Sequence, residues 1–370
     1  MQDPARNAGL RTEFEAGGVI LDTTHEKVDL QAIELLGGVA QECKVYEKID
    51  KMFAGDKINP TEGRSVLHTA LRREASESVV VDGKNVVEDV HKVLNQIKAF
   101  SAKMRSEPLF SGKKLKNIVA IGIGGSFLGP EFVFEALKFE PTCKAAASGY
   151  NLKFLANVDP TDFFRALEGI DVEETLFIIV SKTFTTAETM LNARTCKNHI
   201  YEAYKSKVTD EGQWEAIYGS HLCAVSTNLK STKEFGIKDE NVFGFWEWVG
   251  GRFSVSSAVG VLPLSLFYGF DNVAQFLAGM KAMDTHFQTE KDVTKNIPLL
   301  LGLIGFYNSH ICSHASRAIL PYSQALLRFP AHIQQCDMES NGKTVNRAGV
   351  RYPKGLDAGP IIFGEPGTNG

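Results

Sequence analysis

The feature that most constrains the fold of this chain is an alternation that begins near Leu115. Strand-like runs at 118–123, 152–156, 176–180 and 222–225, the first of them apolar and β-branched, are each followed by helical or turn-rich sequence. Runs that are apolar throughout, rather than every second residue, belong to strands buried on both faces. Strands that alternate with helices predict a parallel sheet with helices packed on either side, an α/β architecture. Ligands of such sheets gather beyond the carboxyl ends of the strands, so the loops that leave those ends are the first place to look for chemistry.

Two of these loops stand out. The first lies in AIGIGGSFLGPEFVFEAL, residues 120–137, which reads as strand, glycine turn and helix. A dinucleotide fingerprint needs G-x-G-x-x-G, and counting from Gly122 puts Phe127 where the last glycine belongs, so that motif fails. What survives is a set of backbone N–H groups around Gly124 and Gly125 and the Ser126 hydroxyl at a helix start. That suits one anionic group better than a pyrophosphate between two nucleosides. The second loop, SKTFTTAET at 181–189, joins the run LFIIV to a helical stretch and carries Ser181, Lys182, Thr183, Thr185 and Thr186. Helix capping accounts for one or two such hydroxyls. The remainder, converging with backbone N–H groups and the helix dipole, fits a terminal phosphate monoester.

Three further segments carry candidate residues. DKINPTEGRSVLHTALR, 56–72, predicts a helix with Arg64, His68 and Arg72 on one face, which would equally serve as a solvated basic face. In WEWVGGRFSVSSAVG, 246–260, Gly250 and Gly251 let the backbone approach a ligand and Arg252 offers an oxyanion a rigid charged fork; the alternative is an arginine paired with Glu247 or a distant carboxylate. In QQCDMESNGK, 334–343, Gln335 and Glu339 are four apart on a predicted helix that stops at Asn341-Gly342; alone, Glu339 would read as a surface glutamate near a helix end. HICSH, 310–314, has two histidines without a complete ligand set, so no metal is expected. The aromatics Phe243, Phe245, Trp246 and Trp248 read as packing.

The rest of the chain fits around these segments. Residues 28–53 and 86–104 show helical periodicity, as do the apolar stretches LPLSLFYGF and IPLLLGLIGFYNSH after Val261. A length of 370 residues with 44% hydrophobic and 23% charged residues is that of a globular chain able to bury a substantial core. The net charge of −4 argues against nucleic acid as a partner. Six scattered cysteines without C-x-x-C spacing indicate no disulfide framework. The N-terminal MQDPARNAGL has no apolar signal-like core, and the longest apolar stretch is about half a membrane span. A cytoplasmic protein without membrane contact is expected.

Taken together, KINPTEGRSVLHTALR, IGIGGSFLGP, SKTFTTAET, EFGI, VGGRFSVSSAVG, GFD, QQCDMESNGK and FGEPGTNG closely resemble the glucose-6-phosphate isomerase family, also called phosphoglucose isomerase. The resemblance runs in the family's order from about residue 58 to the last residue. It implies a sugar-isomerase fold of doubly wound, mainly parallel sheets in two subdomains, the second incomplete, and a homodimer in the full-length form. The expected organisation is a helical segment at 1–98, a first subdomain at 99–267 and the start of a second at 268–370. The implied reaction interconverts glucose 6-phosphate and fructose 6-phosphate through a cis-enediol, without metal or organic cofactor. Glu339 matches the base that serves both carbons, and Arg252 the cation that stabilises the enediolate. Gln335, Gly125, Ser126 and Gly251 match residues near the sugar, and Ser181, Lys182, Thr183 and Thr186 the phosphate loop. In the family GEPGTNG continues into Gln-His, and that histidine and a later lysine assist ring opening; this chain is expected to lack both. Phe127 and Pro160-Thr161-Asp162 depart from common family residues. A non-catalytic sugar-phosphate sensor of the same fold is the rival reading, and it would have no use for Glu339 or Arg252.

Overall fold

The structure is a computed structural model that describes residues 3–356 and 358–367. Contacts divide the chain into two compact units, each assembled from distant stretches of sequence. One comprises Met1–Val87, Phe276–Ile319 and Asp337–Phe363; the other comprises Glu88–Gln275, Leu320–Cys336 and Gly364–Gly370.

The second unit contains the predicted α/β core. Its sheet is formed by β1 (Asn117–Ile121), β2 (Asn151–Leu155), β3 (Thr175–Val180), β4 (Leu222–Val225) and β5 (Val242–Phe243). Every pairing is parallel, and the spatial order is β2-β1-β3-β4-β5. Strands β1, β3 and β4 are buried along their whole length, which is why they read as unbroken apolar runs. The four runs expected from sequence correspond to β1–β4, with ends displaced by two residues at most. On one face Val119, Ile121, Phe177 and Ile179 pack with Ala193, Cys196 and Ile200 of helix α2 (Ala187–Tyr204). Helix α3 (Ala258–Tyr268) is buried throughout and contacts β1, β2 and α1 (Leu128–Leu137), anchored by the Tyr268 hydroxyl donating to the Phe134 carbonyl at 2.6 Å.

The order matters for function. The chain runs from β1 outward to β2, then returns to the other side of β1 as β3, so the topological switch point lies between β1 and β3. Those strands are hydrogen-bonded neighbours with Ile121 opposite Ile179. The glycine loop leaves one of them and the hydroxyl loop leaves the other.

The first unit contains an antiparallel hairpin of Arg11–Phe14 and Val19–Asp22, helices Leu30–Glu42, Val45–Ala54 and Ile297–Phe306, and a parallel pair, Ser316–Ala318 with Ile361–Phe363. Leu10, Val28, Ile33, Leu300 and Ile304 form one of its apolar cores, and Leu36, Ala40, Leu299 and Leu303 another. The helical periodicity of 28–53 is interrupted at Lys44, whose φ of 54° divides it into two helices.

Segment 56–72 corrects an expectation: it is not a helix. Only Ala70–Arg72 forms a short 3-10 turn. The Asn59 side-chain oxygen accepts from the Thr61 and Glu62 N–H groups at 3.1 and 3.2 Å, and Asn59 bridges Arg64 through the backbone. Such local bonds compete with a helix, and Pro60 and Gly63 weaken it further. Nor does the segment present a solvated basic face. The Arg72 side chain is only 4% exposed and makes a bidentate pair with Asp284 at 2.6 and 2.8 Å. Among the described residues, no helix is long and apolar enough to cross a membrane.

Candidate active site

The glycine loop works by close backbone approach. Gly124 has a φ of 58°, which suits glycine, and a Cβ there would lie 3.3 Å from the Gln335 amide nitrogen. A Cβ on Gly125 would overlap the Gly251 carbonyl and come within 2.8 Å of the Arg252 nitrogen, so only glycine fits. The Ser254 hydroxyl stitches the contact by donating to Gly251 O at 2.6 Å, with Gly125 O at 3.5 Å. Ser126 closes the 3-10 turn Gly124–Ser126 ahead of α1.

Arg252 is half-buried at this junction, with its guanidinium 5.2 Å from the Phe253 ring centre. The Cys336 thiol donates to its carbonyl at 3.4 Å. The Gln335 side-chain oxygen is a buried acceptor with no protein partner. An unmet buried acceptor costs about 1–3 kcal/mol, a cost relieved by a ligand hydroxyl that donates to it. Gly124, Gly125, Gly251, Arg252 and Gln335 are thereby gathered at one place in the second unit.

The hydroxyl loop is organised differently. Two of its carbonyls, those of Lys182 and Thr183, accept from the segment after β4. Lys182 O accepts from the Thr227 N–H at 3.0 Å, its hydroxyl at 2.8 Å and the Ser226 hydroxyl at 3.1 Å, and Thr183 O accepts from the Asn228 amide at 3.0 Å. Phe184 turns the chain with a φ of 56° and is buried against Phe235. Thr186 stands at the N-cap of α2, yet no side chain caps that helix. Ser181 Oγ donates instead to Thr186 Oγ1 at 3.2 Å, and the Thr183 and Thr185 hydroxyls pair at 2.6 Å. Capping thus does not account for the hydroxyls, and the α2 N-terminus keeps the polarity that attracts an anion. Lys182 pairs with Glu247 at 3.2 Å, the carboxylate the sequence offered as a partner for Arg252.

Glu339 closes a π-wound turn, Gln335–Glu339, that continues the helix Phe329–Gln334. With i→i+5 bonds the four-residue interval falls just short of one turn, whereas α-spacing was expected. The helical stretch stops after Asn341, where the Gly342 N–H donates to Met338 O at 2.7 Å, as the Asn-Gly pair predicts. Glu339 is exposed and belongs to the first unit.

Sequence reasoning passed over the residues that support this site. His332 stacks on Phe132 at 5.6 Å, lies 3.6 Å from the Cys336 sulfur, and has its pKa lowered by burial. Glu131 pairs with Arg328 at 2.5 Å, although burial outweighs that cation and raises the Glu131 carboxyl. The one signal available was position: His332 and Cys336 are four apart in the stretch that precedes Glu339.

A five-stranded parallel α/β sheet of order 2-1-3-4-5, with a glycine loop and a hydroxyl-rich loop on either side of its switch point, places the chain among proteins of the sugar-isomerase fold. Residues 22–370 match the family Phosphoglucose isomerase, and the chain belongs to that family. It is 50% identical over its whole length to "Glucose-6-phosphate isomerase, cytosolic B" of Oryza sativa subsp. japonica and 49% identical to "Glucose-6-phosphate isomerase, cytosolic" of Arabidopsis thaliana. It spans 63% and 64% of those proteins' lengths. A crystal structure of a glucose-6-phosphate isomerase from Chlamydia trachomatis D/UW-3/Cx superposes with a TM-score of 0.84 at 29% identity, covering 99% of this chain and 66% of that one.

Proposed function

We propose that a protein of its relatives' full length, carrying this chain, interconverts glucose 6-phosphate and fructose 6-phosphate through a cis-enediol. The observation that carries this reading is the meeting of Gly125 with the Gly251–Arg252 backbone, beside Gln335, in the unit whose switch point also bears the hydroxyl loop. Ser181, Lys182, Thr183 and Thr186 hold the phosphate. Gly125, Ser126 and Gly251 let the sugar lie against backbone, and Gln335 accepts from a sugar hydroxyl. Glu339 removes the C2 proton of the open-chain aldose and returns a proton to C1, a task one carboxylate performs for both carbons. Arg252 stabilises the oxyanion of the enediolate, where fixed charge acts on the transition state. No cofactor is needed.

The rest of the reading follows the relatives. Their names place those proteins in the cytosol, and we place this one there too. The active form is assigned to a homodimer. The partition at residues 98 and 267 into a helical segment and two subdomains belongs to the same proposal.

The test is solvent deuterium incorporation at C2 in a protein of full length. Glu339→Gln should lower exchange about 10²–10⁴-fold while sugar-phosphate binding persists. Exchange at the unmutated rate would reject Glu339 as the base. Binding without exchange in the unmutated protein would favour a sensor.

A further inference from the structure

We infer that Arg317 is a positioning residue for the candidate base Glu339, acting through Asp337 and Asn341; the inference rests on the function proposed above. In the first unit, the two-stranded parallel sheet holds Asp337 and Met338, the two residues that precede Glu339. Arg317 on the strand Ser316–Ala318 reaches Asp337, two residues before the base, with Nη1 to Oδ2 at 3.7 Å. The other Asp337 oxygen accepts from the Asn341 amide at 3.1 Å, two residues beyond the base. The register pairs Arg317 with Ile362, whose N–H donates to the Met338 sulfur at 3.4 Å. Adjacent residues of the sheet therefore hold adjacent residues of the turn, and Lys343 Nζ donates to the Glu339 carbonyl.

Two glycines show that this clamp is packed closely. A Cβ on Gly305 would overlap the Arg317 guanidinium, so the helix Ile297–Phe306 leaves a seat for it. A Cβ on Gly359 would lie 2.6 Å from the Asn341 Cβ. Glu339 stands on a π-wound turn, and a base must be held to a fraction of an ångström to move a proton efficiently. The Arg317–Asp337–Asn341 relay restrains the turn that carries Glu339 without touching substrate.

The experiment measures kcat, KM and C2 deuterium exchange in the full-length protein for Arg317→Gln, Asp337→Asn, their double variant and Gly305→Ala, with Glu339→Gln in parallel. Arg317→Gln and Gly305→Ala should each lower kcat and exchange by about tenfold with KM within about twofold, because a misplaced base slows chemistry and leaves phosphate binding alone. The double variant should lose no more than Arg317→Gln alone, since both changes cut one relay. Gly305→Ala keeps every charge and, as a second route to the same displacement, covers the case in which Arg317→Gln does not fold. Unchanged kcat in both Arg317→Gln and Gly305→Ala, or a double variant with the product of the separate losses, overturns the inference while a dead Glu339→Gln leaves the function standing. Exchange retained in Glu339→Gln would reject the base and this inference with it.

Discussion

Two polar segments rich in turn-forming residues behave in opposite ways. The hydroxyl loop Ser181–Thr186 sits where its flanking sequence put it, between a buried strand and a helix, with bonds to residues 226–228 of the neighbouring strand end. Segment 56–72 has just as suggestive a pattern, yet its cation is taken up by Asp284, 212 residues away. A loop at a strand end inherits its position from the sheet. A segment without such a frame takes its conformation from whatever it packs against, and local spacing then misleads.

The contrast can be broken or sharpened by mutation. The largest expected effect is on the distant partner. Asp284→Ala takes the bidentate carboxylate away from the buried Arg72 guanidinium, and should destabilise the protein by about 3–5 kcal/mol in urea unfolding; a loss under about 1 kcal/mol would show that the pair does not fix the segment. His68 comes next. Burial foremost, then the Arg72 charge, lower its pKa to about 4 from 6.5. The folded state therefore prefers the neutral ring, and the unfolded chain binds the extra proton. Stability is fully present above pH 6.5 and is lost as pH falls toward about 4, by roughly 3 kcal/mol. His68→Asn should remove that part of the slope, and an identical pH profile for both proteins would refute it.

Smaller effects are expected at the loops, where less is desolvated. Gly125→Ala drives a methyl into the Gly251 backbone and should cost about 1–3 kcal/mol in thermal or urea unfolding, along with weaker sugar-phosphate binding. Glu247→Gln, which breaks an exposed pair with Lys182, should change stability by less than about 1 kcal/mol. If Glu247→Gln proved as damaging as Asp284→Ala, the distinction between the two regions would fail.

The same physics decides what could be read in advance. Strands β1, β3 and β4 are legible because burial on both faces demands unbroken apolar runs, and the loops follow from the strands. The class of Gln335, Arg252 and Glu339 came from resemblance more than from spacing. The αL conformation of Phe184 left no trace, since φ above zero is a property usually reserved for glycine or asparagine. The π-wound turn was equally silent: Gln335, Cys336, Asp337, Met338 and Glu339 suit an α-helix as well, and the turn meets distant residues through Arg317 at Asp337 and Ile362 at Met338. The Arg72–Asp284 pair could not be found by any local rule.

The central claim is that the hydroxyl-bearing start of α2 anchors the phosphate of a sugar. Calorimetric titration of fructose 6-phosphate into the unmutated protein and into Ser181→Ala/Thr186→Val tests it most directly, with fructose as the control. Loss of two hydroxyl bonds to a charged group should weaken fructose 6-phosphate binding by about 10²-fold, and fructose should bind neither protein measurably. Equal affinity of the two proteins for fructose 6-phosphate, or equal affinity of the unmutated protein for fructose with and without its phosphate, would contradict it.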